Sequence, residues 1–130
     1  MVCVCAFSKW VEAWPARDLR SYTITRLFHF NITTRFGVCR VVRSDKGREF
    51  LGDFDVYLRG LGIDHRVIST AHPRANGLVE RYNKCLKEGL RKMLIMAPQA
   101  SWLEVLPEVL MGLRALPSRV GLSPYLICFK

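Results

Sequence analysis

No stretch of this sequence is apolar for long enough to cross a bilayer. Met1 to Ala6 is too short for the apolar region of a signal peptide, and no basic segment precedes it, so an intracellular chain with no membrane partner is expected. Zinc-type ligand spacing is missing too. Cys3, Cys5, Cys39, Cys85 and Cys128 form no Cys-x-x-Cys pair, and the three histidines form no His-x-x-x-His pair. That excludes a zinc finger, and the odd number of thiols argues against a disulfide framework. Cys3 and Cys5 fall on one face of a strand, where thiols pack as small hydrophobes. There is no repeat, no low-complexity tract and no linker, so residues 1–130 read as a single domain. Acidic residues are few, eleven against twenty Lys and Arg, for a net charge of +9. This excess favours a polyanionic partner, nucleic acid ahead of membrane because no basic lipid-seeking segment stands apart.

The elements follow from pattern. Val2 to Pro15 predicts two strands joined by a turn at Phe7-Ser8-Lys9. Ser21 to Phe36 predicts a helix with Ile24, Leu27, Phe28 and Ile32 on its apolar stripe and Gly37 at its end. A short strand over Cys39–Arg43, a helix around Phe54–Leu61 stopped by Gly62, and a strand over Ile63–Ile68 come next. Ser69 to Gly77 reads as a loop punctuated by Pro73 and Asn76-Gly77. Val79, Tyr82, Leu86, Leu90 and Met93 then form the buried stripe of a helix whose exposed face carries Glu80, Lys84, Lys87 and Arg91. Ser101-Trp102-Leu103-Glu104 is a capping box opening a last long helix. Its apolar side carries Trp102, Leu106, Val109, Leu110 and Leu113, and Pro107 marks a kink. A turn at Gly121–Pro124 and a short apolar piece close the chain. Strands alternating with helices make this an α/β layer protein.

Two carboxylates stand out. Asp45 follows a strand directly, in Arg43-Ser44-Asp45-Lys46-Gly47-Arg48-Glu49-Phe50, and Glu80 is expected in the first turn of a helix. Both backbones are stiff, so the two side chains can converge on one divalent cation. Each also has a plain explanation: Asp before Lys-Gly forms turns, and an early helical Glu answers the helix dipole.

Six words occur in order: Phe7-Ser8-Lys9-Trp10-Val11-Glu12-Ala13, Arg35-Phe36-Gly37, Ser44-Asp45-Lys46-Gly47-x-x-Phe50, Leu61-Gly62-Ile63, His72-Pro73-x-x-Asn76-Gly77-x-Val79-Glu80-Arg81-x-Asn83 and Gly121-Leu122-Ser123-Pro124-Tyr125. Together they resemble the catalytic core of retroviral and long-terminal-repeat retrotransposon integrases, the gypsy-like and gammaretroviral branch above all. The resemblance implies a ribonuclease H-like fold, a mixed sheet flanked by helices. It also implies two aspartates and one glutamate holding Mg²⁺ or Mn²⁺, and a polynucleotidyl transferase that trims DNA 3′ ends and joins them to host DNA. Carboxylate oxygens suit such hard cations. Asp45 matches the second aspartate and Glu80 the glutamate. Thirty-four residues lie between them, one fewer than the family's usual thirty-five, with the turn at Leu51-Gly52-Asp53 as the place of the shortening.

The first aspartate has no match, since the family carries it on a strand before the one at Val2 to Cys5. Neither Glu12, part of the Trp-Val-Glu-Ala word, nor Asp18 replaces it. The fold is therefore expected to be incomplete at its N-terminal strand and the chain to be inactive alone. Lys46 stands where the family usually has Asn. Lys84 and Lys87 match helix lysines that touch DNA ends, Arg91 extends their row, and Asn76 and Gly77 match a loop hinge beside the site. His72 reads as a loop residue. The resemblance implies DNA as partner, with self-assembly left open, no small-molecule substrate, and a nuclear place if host DNA is the target. Its rival is an integrase remnant that only binds nucleic acid or protein.

Overall fold

The computed structural model describes residues 1–68, 73–117 and 121–129, the side chains of 73–76 apart. His72 lies outside them. The chain divides into two compact units, one of Met1 and residues 14–76, the other of residues 2–13 and 77–130.

In the first unit, helix α1 (Ser21–Phe28) runs on through a π-helical stretch, His29–Thr33, into α2 (Thr34–Phe36), and Gly37 ends it at φ 83°. A positive φ costs glycine little, which is why the helix stops there. Of the expected stripe, Ile24 and Phe28 are buried and Leu27 and Ile32 half-buried. Strand β3 (Val41–Ser44) leads through a 3₁₀ turn (Arg48–Phe50) to α3 (Asp53–Gly60) and then to β4 (Asp64–Val67). β3 and β4 pair in parallel, Val41 opposite Asp64 and Ser44 opposite Val67, and α3 supplies the crossover that a parallel pair requires. Phe54, Leu58 and Ile63 are buried with Ile24 and Phe28, and the Phe28 and Phe54 rings meet edge to face at 5.4 Å. Ser21 ties α3 to α1: its hydroxyl accepts from the Phe54 amide at 3.0 Å and donates to the Leu51 carbonyl.

In the second unit, β1 (Val2–Val4) and β2 (Val11–Ala13) form the expected antiparallel hairpin. Lys9 turns its corner at φ 62°. Helix α4 runs from Pro73 to Met96 and belongs to this unit from Gly77 on, α5 runs from Trp102 to Ala115 and α6 from Pro124 to Phe129. Leu86 of α4 and Leu106, Val109 and Leu110 of α5 close a core on Val11 and Ala13, with Tyr82, Leu90, Met93 and Leu113 packed against it. The capping box is complete: Ser101 Oγ accepts from the Glu104 amide, and Glu104 Oε2 accepts from the Ser101 amide at 2.7 Å. Trp102 departs from expectation. It is 46% exposed because it occupies the first position of α5, one turn ahead of the first buried residue, Val105.

Among the described residues the strands form two separate two-stranded sheets, β1–β2 and β3–β4. None of the five cysteines is in a disulfide, and no helix among the described residues is long and apolar enough to cross a membrane.

Candidate metal and nucleic-acid site

Asp45 is the first residue after β3. Its carboxylate is exposed, and Oδ1 accepts the Gly47 amide at 2.9 Å, a turn that holds the side chain close to its own backbone. Lys46 beside it is exposed.

Glu80 belongs to the second unit and is exposed on α4. It does not sit in a first helical turn. The helix begins at Pro73, so the segment expected to be loop up to Gly77 is helical from Pro73 onward and Glu80 lies in the second turn. Proline fits the start of a helix, where its missing N–H costs nothing, and this outweighs the turn-forming pair Asn76-Gly77. Gly77 is thus inside a helix rather than in a loop. The backbone of Asn76 is helical as well, and its side chain lies outside the described residues.

Lys84, Lys87 and Arg91 are all exposed. With Glu80 they recur at four, three and four residues along α4, so the four side chains share one face. The opposite face carries Tyr82, Leu86, Leu90 and Met93 into the core.

Glu12 has a different occupation. Its Oε2 pairs with Arg114 Nη2 at 2.7 Å, and its Oε1 accepts from Trp10 Nε1 at 2.9 Å. Buried and held by these bonds, it is a structural carboxylate. Among the described residues no group of three or more His, Cys, Asp or Glu side chains gathers in the manner of a metal centre.

Two features escaped the sequence reading. An open surface cavity in the second unit is lined by Phe7, Lys9, Arg81, Tyr82 and Cys85, among others. It contains neither Asp45 nor Glu80. The other is a polar chain next to Asp45: His65, its side chain only 1% exposed, bridges Asp55 at 2.7 Å and Ser44 at 2.9 Å. The bond from His65 holds the Asp55 carboxyl below its ordinary value, helped by Arg59. A lone His in a strand gives no sign of partners ten and twenty-one residues away.

No family model matches the chain. It is 34% identical over 130 residues to the Gag-Pol polyprotein of woolly monkey sarcoma virus, covering 99% of this chain and 8% of that protein. It is 35% identical over 130 residues to the Pol polyprotein of feline endogenous virus ECE1, covering 99% of the chain and 12% of that protein. The chain thus spans a small part of the relatives it matches. Among solved structures, the simian T-cell lymphotropic virus intasome in complex with PP2A regulatory subunit B56 gamma superposes with a TM-score of 0.86 at 23% identity, over 99% of this chain and 47% of that one. The HTLV-2 integrase catalytic core domain in complex with magnesium superposes with a TM-score of 0.78 at 25% identity, over 97% and 81%. The BIV integrase catalytic core domain gives 0.79 at 23% identity, over 97% and 82%. Along its whole length this chain is a relative of retroviral Pol polyproteins, and its fold is that of the retroviral integrase catalytic core.

Proposed function

We propose that the chain is the core of a retroelement integrase, a metal-dependent polynucleotidyl transferase that processes DNA 3′ ends and transfers them to a target strand. The observation that carries this is Asp45, an exposed carboxylate at the exit of β3, followed by Glu80 on α4 at one residue less than the family's usual spacing. Both offer hard oxygen donors, which fit Mg²⁺ or Mn²⁺. A divalent ion on such ligands supplies positive charge at the attacking and leaving oxygens of a phosphoryl displacement. Asp45 and Glu80 are its ligands in this reading. The row Lys84, Lys87 and Arg91 holds DNA phosphates, and Asn76 adds a polar contact from the start of α4. Gly77 gives that helix start its freedom to adjust. Self-assembly on DNA and a nuclear place of action follow from the same reading; two of the similar structures are a viral intasome and a trimeric form of an integrase catalytic core domain.

Two carboxylates are fewer than a two-ion site needs. A third is proposed to come from a strand outside these 130 residues. The separate pairing of β1 with β2 and of β3 with β4 supports this, because each pair keeps an edge with no ladder partner among the described residues. The chain alone is therefore expected to be inactive.

The experiment compares the 130-residue chain with a version extended upstream in its own reading frame, in strand-transfer assays with Mn²⁺. Activity should appear only in the extended protein and vanish with Asp45→Asn or Glu80→Gln. Strand transfer by the short chain that survives Glu80→Gln would place the chemistry elsewhere.

A further inference from the structure

Asp55, His65 and Ser44 form a polar chain that the proposed metal chemistry leaves unused. It crosses three elements of the first unit: α3 holds Asp55, β4 holds His65, and β3 ends on Ser44. His65 Nδ1 donates to Asp55 Oδ1 at 2.7 Å, and Nε2 of the same ring meets Ser44 Oγ at 2.9 Å. Asp55 is clamped from the solvent side by Arg59 Nε at 2.8 Å, and the imidazole packs edge to face on Phe54 at 5.7 Å. Ser44 Oγ also donates to the Asp45 carbonyl at 3.0 Å. A hydroxyl has one proton and two lone pairs, so it can accept from Nε2–H while serving that carbonyl, or donate to the bare nitrogen. Either way the oxygen is fixed.

The order of groups is that of a nucleophilic serine with its base and orienting carboxylate. The surroundings argue for another use. Both partners of Ser44 Oγ lie within the fold, and the Ser44 carbonyl accepts the Ile68 amide at 2.8 Å as the last rung of the β3–β4 ladder. Ser44 is therefore held at its backbone by β4 and at its side chain by His65. The next residue is Asp45, whose Oδ1 takes the Gly47 amide.

We infer that the Asp55–His65–Ser44 chain is a positioning device: it fixes the exit of β3 so that the Asp45 carboxylate is presented to a divalent cation in one orientation. The cation part rests on the reading of Asp45 as a metal ligand. The fixing of the turn does not.

The test therefore uses two readouts on the 130-residue chain: hydrogen exchange of the Gly47 amide without metal, and Mn²⁺ affinity by electron paramagnetic resonance. Losing one such hydrogen bond should speed Gly47 exchange about five-fold in Ser44→Ala and in Asp55→Ala, and weaken Mn²⁺ binding by about the same factor. Ser44→Thr and Asp55→Asn keep the hydroxyl and an acceptor oxygen, and should restore both readouts. Arg59→Ala, which removes only the outer clamp, should change neither. Unchanged Gly47 exchange in both alanine variants overturns the inference. Covalent labelling of Ser44 by a fluorophosphonate also overturns it, in favour of a nucleophile. Asp45→Asn checks the metal reading by itself: wild-type Mn²⁺ affinity in that variant removes Asp45 as a ligand, while Gly47 exchange still decides on the positioning chain.

Discussion

The guanidinium of Arg114 reaches Glu12 Oε2 at 2.7 Å, with the two side chains only 13% and 5% exposed. Arg114 also donates from Nε to the Val11 carbonyl at 2.9 Å and lies 4.5 Å from the centre of the Trp10 ring. One residue of α5 thus fastens the charge, the backbone and the aromatic ring of β2 and its approach.

Breaking such a pair strands a buried charge, which costs about 3–5 kcal/mol, whereas removing both charges together costs far less. Arg114→Met should therefore lower the stability of the chain by about that amount in urea titration. Glu12→Gln keeps an acceptor for Trp10 Nε1 and should cost less. Joining Glu12→Gln to Arg114→Met should recover part of the loss, because no unpaired carboxylate then remains. A strictly additive double variant would mean that the pair is not coupled.

Two glycines of α4 should respond with opposite signs. A Cβ at Gly89 would stand 2.6 Å from Val109 Cγ1, a buried, β-branched side chain that cannot swing away. Gly89→Ala should destabilise by about 1–3 kcal/mol, the usual cost of overpacking. Val109→Ala in the same chain should relieve the clash. A Cβ at Gly77 meets nothing within 4 Å. Gly77→Ala should stabilise by about 0.4–1 kcal/mol through the unfolded chain. Thermal unfolding of the three variants decides both.

Acid should weaken the first unit late. The bond from His65 lowers the Asp55 carboxyl, and the Thr23 hydroxyl with the Arg20 amide lowers that of Asp18, both below the ordinary 3.8. A depressed carboxyl favours the fold above its unfolded value and loses that contribution as pH falls through the folded one. Unfolding midpoints should hold steady from neutrality to about pH 4 on this account and then fall. In Asp18→Asn and Asp55→Asn the fall should be shallower. Midpoints in those variants that decline as steeply as in the parent would clear both carboxyls of the effect.

What the sequence disclosed was what neighbours in the chain decide. The capping box at Ser101 and Glu104 involves residues three apart, and both of its bonds are present. The stripes of α1 and α4 were legible because burial repeats with the helical period. The start of α4 runs against its local signal: Asn76-Gly77 looks like a turn, while Pro73 fixes the first helical position. The π stretch at His29–Thr33 left no trace in the apolar pattern. Its polar links are tertiary, with Tyr57 Oη between His29 Nδ1 and Thr33 Oγ1 at 2.9 Å each. Asp45 could be chosen by its word, but its support could not, since Ser44, Asp55 and His65 meet only once β4 has returned beside β3.

The exposed row on α4 makes the last prediction, and it separates a built surface from general charge. Lys84, Lys87 and Arg91 project from one rigid face, so a DNA backbone can meet them together without ordering a loop. Arg17 and Arg20 are also exposed but lie in the connection before α1. Lys84→Glu with Lys87→Glu changes the net charge as much as Arg17→Glu with Arg20→Glu does. The +9 of the whole chain falls equally in the two variants, and any difference between them is position. Binding to duplex DNA of arbitrary sequence should weaken far more in the α4 variant. The slope of log affinity against log salt should also become shallower by about 0.9 for each phosphate that is no longer neutralised. The connection variant should keep the parent slope. Equal slopes and equal losses in the two variants would reduce the α4 row to a share of the overall charge and remove it from the DNA-binding surface.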